Sequence, residues 1–177
     1  MILDFFKTSA NLKKIPRQGW IDKLSIKNPE SVADHSFSMA MIGMIIADIE
    51  NYDSEKILKM SLLHDLAESK VGDLTPDQMN KEKKIQLENM AFNEIVEKLP
   101  ASIKNEYLKI WQEYQENTTS ESKIIHQIDK LEMALQAKLY QNEGHSKEKL
   151  ESFFKSAEIE IINPTLKELF RKIVDDL

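Results

Sequence analysis

Apolar side chains recur at intervals of three and four residues along almost the whole chain, and only four glycines interrupt them. That period is what amphipathic helices require, and so few glycines leave little material for hairpin turns. The expected fold is an all-α bundle. At 177 residues the chain has the size of one domain, whose single core can bury most of the apolar surface of the unfolded state. Residues 1–177 are therefore read as one domain.

The spacing predicts a first helix from Ile2 to Leu12, with Leu3, Phe6, Ala10 and Phe5 facing inward. An irregular segment from Lys13 to Pro29 carries Pro16, Gly19 and Pro29, and its length makes it a candidate binding loop. Ser31 caps a second helix reaching Ile49, and His35 lies on its apolar line of Val32, Met39, Ile42 and Ile46. A third helix starts near Ser54 and runs through His64 and Asp65 until Gly72 and Pro76 end it. Later helices are expected from Lys81 to Leu99, Ala101 to Gln115, Ser120 to Asn142, Lys147 to Ser156 and Pro164 to Asp176. Met39, Met41, Met44 and Met60 are read as core filler.

Composition narrows the chemistry. There is no cysteine, which excludes disulfide scaffolds, thiolate zinc sites and cysteine nucleophiles and leaves histidines and carboxylates as the strong metal ligands. A net charge of -6 argues against a nucleic-acid polymer as partner, because such domains present a basic face. Lys81, Lys83 and Lys84 are the densest basic cluster, but Glu82 sits within it and Glu88 follows, so it reads as a solvated helix face. A small phosphate ester remains possible, since one or two placed cations suffice for it. We expect no membrane partner, as no uninterrupted apolar run is long enough to span a bilayer. The first twelve residues lack a signal-peptide pattern, which makes the cytoplasm the simplest compartment.

Against this background the pair His64-Asp65 is informative, because it interrupts the apolar run from Ser61 to Glu68. Burying a carboxylate beside an imidazole costs several kcal/mol, on the order of a lost charge pair, unless charge or hydrogen bonds answer it. A divalent cation answers both groups, and His35 and Asp129 are two further candidate ligands. Taken singly, each has a plainer use. His35 suits a hydrogen-bonded core histidine, and Asp129, on the inward arc of Ile125, Ile128 and Glu132, suits a salt bridge to a distant lysine or arginine, Lys130 projecting from another side. Together the four form a nitrogen and oxygen set suited to a catalytic divalent metal.

In order and spacing, His35, His64-Asp65 and Asp129 resemble the H...HD...D motif of the HD-domain metal-dependent phosphohydrolases. The flanking segments Arg17-Gln18-Gly19-Trp20, Pro29 to Ser36, His64 to Glu68, Val71 to Pro76 and Ile128 to Met133 are similar to the 5′-deoxynucleotidase branch, which includes the HD domain-containing protein 2 type. The resemblance runs from about Ile2 to beyond Tyr140.

It implies an HD-domain helical bundle that removes phosphate from deoxyribonucleoside 5′-monophosphates. The expected ligands are His35, His64, Asp65 and Asp129, and the expected cofactor is one of Co, Mn, Zn, Ni, Fe or Mg. Glu68 is the candidate for orienting or deprotonating the nucleophile, its plain alternative being a surface carboxylate near a helix end. Asp73 would protonate the leaving 5′-oxygen or contact the sugar, its plain alternative being a turn or N-cap aspartate. Arg17 matches a phosphate-binding arginine. Trp20 is open to two uses, stacking on substrate or anchoring the loop, and the family's tryptophan can follow the arginine directly, whereas Gln18 does so here. Lys23 is a candidate second cation. A homodimer is implied as well. Two alternatives remain open: an HD-type hydrolase of a cyclic dinucleotide or guanosine polyphosphate, and a non-catalytic interaction module stabilised by metal.

Overall fold

The computed structural model describes residues 1–176. In chain order it contains α1 (Ile2–Ala10), a 3-10 turn (Asn11–Lys14), α2 (Gln18–Leu24), α3 (Val32–Glu50), α4 (Ser54–Leu63), α5 (Glu68–Val71), α6 (Lys81–Val96), α7 (Ala101–Glu116), α8 (Ser120–Asn142), α9 (Lys147–Glu160) and α10 (Pro164–Asp176). The fold is all-α. An isolated antiparallel bridge joins Pro16 to Ser31, so the two ends of the segment between the 3-10 turn and α3 are held together.

Helix α3 is the centre of the bundle, packed on α4 and α8. Its start is set locally: the Ser31 hydroxyl accepts from Asp34 N while Asp34 accepts from Ser31 N, a reciprocal cap. Val32, Met39 and Ile46 of α3 meet Ile57 and Met60 of α4 and Ile125 and Ile128 of α8 in the core. Gly43 permits that closeness, because a Cβ there would lie 2.9 Å from Ile57 Cγ2 and 3.1 Å from Ser61 Oγ.

Several expectations change. On α1, Phe5 faces the core, whereas Leu3, Phe6 and Ala10 are exposed. Helix α2 forms inside the expected irregular segment, because the Asp73 carboxylate accepts from Gln18 N at 2.8 Å and caps it from a distant part of the chain. Helix α4 does start at Ser54, and Asp53 caps it by accepting from Lys56 N at 3.0 Å. Helix α4 ends at Leu63, and the chain turns tightly through His64–Ala67 before α5. Helix α3 is long and apolar enough, by length and composition, to cross a membrane, although Asp34, His35 and Asp48 interrupt its apolar run and its inner face is core.

Candidate metal centre

His35 comes from the buried face of α3, His64 and Asp65 from the turn that closes α4, and Asp129 from the middle of α8. Because those three helices pack on one another, residues far apart in sequence meet. One atom each of His35, His64 and Asp129 lies within 4.8 Å of the others. His64 Nε2 lies 3.0 Å from Asp65 Oδ2, and His35 Nε2 lies 3.3 Å from Asp129 Oδ1 and 3.8 Å from Asp65 Oδ2.

The imidazoles are oriented from behind. His64 Nδ1 lies 2.8 Å from the Ser61 carbonyl oxygen, and His35 Nδ1 lies 2.5 Å from Glu132 Oε2. Those partners accept protons, which places the ring hydrogens on Nδ1 and turns both Nε2 lone pairs toward the same spot. Both Nε2 atoms are buried without a hydrogen-bond partner. Lone pairs and carboxylate oxygens at such separations repel unless positive charge lies between them. Two imidazole nitrogens with carboxylate oxygens and no thiolate therefore fit a divalent cation.

The electrostatics report the same demand. Burial and Arg17 push the His35 imidazole down, but Asp129 and Glu132 outweigh them and lift it to about 9. Burial works to raise both aspartates. Lys130 and His35 nonetheless hold Asp129 well below the usual carboxylate range, and His64, Arg17 and His35 do the same for Asp65. Lys130 Nζ is 3.3 Å from Asp129 Oδ2, so the neighbouring lysine does reach back, contrary to the expectation that it projects elsewhere.

Glu68, at the start of α5, is 1% exposed rather than a surface carboxylate, and its Oε2 has no hydrogen-bond partner. Burial, Asp65 and Asp73 push it well above the usual range. Arg17 lies against the cluster, its Nη1 donating to Asp65 Oδ2 at 3.3 Å. Burial opposes the guanidinium's charge, but Asp65, Asp73, Asp129 and Glu68 together preserve it. Asp73 is joined to the same loop through Gln18 N, so its capping role is real but serves α2.

Two candidates are not brought in. Trp20 is 2% exposed; its ring packs on Phe153 and Tyr140 and its Nε1 donates to Glu30 Oε1 at 2.8 Å. It anchors the loop, which corrects its reading as a substrate-stacking residue. Lys23 is exposed on α2 and forms no ion pair with the cluster among the described residues. His126 stacks on Tyr114 and bonds to the Tyr114 carbonyl, and His145 is half-buried against Tyr140.

Sequence reasoning assigned no role to Glu132, Glu30 or Lys84. Glu132 had a legible signal, a carboxylate on the inward arc of its helix three residues after Asp129. Glu30, near Glu132, is lifted to about 7 by burial first and by that like charge second. Lys84, read as part of a solvated face, lies 3.6 Å from Glu68 Oε1.

Comparison with known proteins agrees with this arrangement. A family model described as HD domain matches residues 9–169. The chain is 40% identical to the 5'-deoxynucleotidase HDDC2 of Dictyostelium discoideum, covering 98% of this chain and 97% of that protein. It is 33% identical to the protein of the same name from Homo sapiens, over 97% of this chain and 84% of the relative. Its backbone superposes on the PH0347 protein from Pyrococcus horikoshii OT3 with a TM-score of 0.81 and 29% identity, over 97% of each chain. With its histidine and aspartate ligand candidates meeting where three helices cross, and with that extent of match, the chain belongs to the HD domain family.

Proposed function

We propose that this protein is a metal-dependent 5′-deoxynucleotidase, which hydrolyses deoxyribonucleoside 5′-monophosphates to deoxynucleosides and phosphate. The observation that carries the reading is the pair of partnerless, buried Nε2 atoms facing Asp65 and Asp129, with a buried Glu68 and a charged Arg17 at the same place. The names of the relatives from Dictyostelium discoideum and Homo sapiens support the substrate class.

His35, His64, Asp65 and Asp129 would hold the ion. When bound, a divalent cation polarises a phosphoryl oxygen and makes water more acidic, which suits attack on phosphorus. Glu132 and the Ser61 carbonyl fix the two imidazoles so that the site is formed before substrate arrives. Arg17 supplies a planar fork able to hold two phosphoryl oxygens, and its contact with Asp65 keeps that fork aimed at the ion site. Glu68, buried beside the ion site with one oxygen free of any hydrogen bond, orients water and, ionised beside the bound cation, accepts its proton. Asp73 has one oxygen engaged by Gln18 N, leaving the other for the leaving 5′-oxygen or the sugar.

The metal belongs to the set Co, Mn, Zn, Ni, Fe and Mg, the protein works as a homodimer, and its compartment is the cytoplasm. Dimerisation is supported by the outer face of α3, where Phe37, Met41, Ile45 and Ile49 are exposed at four-residue intervals. Contiguous exposed apolar surface of that kind marks interaction sites, and light scattering tests it. The functional reading is tested by phosphate release from dAMP, dTMP and AMP, using apo-protein and each divalent ion in turn. Metal-dependent release from the deoxynucleotides is expected. Pyrophosphate from guanosine polyphosphates, linear products from cyclic dinucleotides, or no turnover of any substrate would reject it.

A further inference from the structure

We propose that Lys84, on α6, is a positioning residue that holds Glu68 and the Asp73-bearing turn in one working arrangement; the inference rests on the phosphohydrolase reading above. Its ammonium donates to the Leu74 carbonyl at 2.9 Å and lies 3.6 Å from Glu68 Oε1 and 3.5 Å from Glu88 Oε1. The Leu74 carbonyl lies at hydrogen-bond distance, and the Glu68 and Glu88 carboxylates are ion-pair partners of the same ammonium. Leu74 directly follows Asp73, so a single side chain contacts both Glu68 and the turn that presents the second acid.

The need for such a tie follows from the surroundings. Glu68 is 1% exposed, and Asp65 and Asp73 both repel its charge, with Arg17 and Lys84 opposing them. Arg17 is already committed to Asp65. Lys84 approaches from the opposite element, α6, and its side chain keeps 30% exposure, which fits a charged strap over the edge of the site. Helix α5 has only four residues, too few to fix a carboxylate by its own backbone bonding, since an isolated turn is marginal without tertiary support. Lys81 and Lys83 are exposed, so the role is specific to one lysine of the basic cluster.

The test compares metal-loaded wild type, Lys84→Met, Lys84→Gln and Lys84→Arg, with Lys83→Met as the control, on dAMP. For Lys84→Met the expected result is a kcat reduced by about 10- to 100-fold, the scale for a displaced acid or base, with KM little changed and bound metal at the wild-type level. Lys84→Arg should recover much of the loss, and Lys83→Met should behave as wild type. A crystal structure of Lys84→Met should show the Glu68 carboxylate and the Leu74 carbonyl displaced.

An unchanged kcat would overturn the proposal. So would a raised KM at constant kcat, which would make Lys84 a substrate contact, and so would loss of folding in both the Met and Gln variants, which would make it a residue of the fold. If wild type itself releases no phosphate from any deoxynucleotide, the functional reading fails separately. The crystal structure then decides, and Glu68 and Leu74 unmoved in Lys84→Met would refute the tie.

Discussion

Replacing Glu132 by Gln preserves the size of the side chain and removes its charge, and the consequence falls on His35. The wild-type contact between His35 Nδ1 and Glu132 Oε2, at 2.5 Å, is charge-assisted and buried, Glu132 being 2% exposed. Hydrogen bonds to charged groups contribute about 1.5–3 kcal/mol, neutral ones about 0.5–1.5. The difference, about 1–1.5 kcal/mol, corresponds to roughly tenfold in a binding constant, toward the low end of the roughly 10- to 100-fold seen when a partner of a metal-bound histidine is lost.

A second effect opposes it. The like charge of Glu132 helps keep Glu30 at about 7. Without that charge Glu30 ionises more readily, and its carboxylate, clustered with His35, restores part of the missing field. Glu132→Gln should therefore weaken metal affinity by about tenfold, and Glu30→Gln combined with it by more. Competition of Co or Mn with a chelating dye measures both. An unchanged dissociation constant in the double variant would refute the claim that His35 is oriented and made basic from behind.

Glu68→Gln should lower kcat by about 10²- to 10⁴-fold, the range for a lost general base, while metal stoichiometry measured by emission spectroscopy stays as in wild type; full turnover would remove Glu68 from the chemistry. Gly43→Ala should lower Tm by several degrees. The crowding against Ile57 and Ser61 costs about 1–3 kcal/mol, against about 1 kcal/mol gained from helix propensity, and a higher Tm in calorimetry would contradict the tight α3–α4 contact. Trp20→Phe removes the bond to Glu30 and should destabilise the fold by about 1–3 kcal/mol with equal effects on dAMP and dTMP. A KM change for one base alone would return Trp20 to substrate stacking.

The part of the fold governed by local pattern is legible in the sequence. Ser31 with Asp34 announces the start of α3, and the 3.6-residue period puts His35 and Asp129 on inward faces; these are short-range properties. Helix α2 was hidden because its cap, Asp73, lies far along the chain, so Pro16 and Gly19 looked like breakers of structure with nothing to offset them. The tight turn at His64–Ala67 looks like continuing helix in the sequence, since the apolar spacing survives it. Lys84 was hidden for a related reason: its i,i+4 partner Glu88 suggests an ordinary surface pair, and only the packing of α6 on α5 brings it to Glu68. Exposed Leu3 and Phe6 show the limit of periodicity on a terminal helix, where several apolar arcs compete and the fold covers one.

The most direct test of the account is anomalous diffraction from crystals grown with Mn or Co, recorded at the metal edge. One strong peak is expected within coordination distance of His35 Nε2 and His64 Nε2, with carboxylate oxygens of Asp65 and Asp129 completing the protein ligands. A peak elsewhere, or a fully loaded crystal in which those two nitrogens remain without metal, would contradict it.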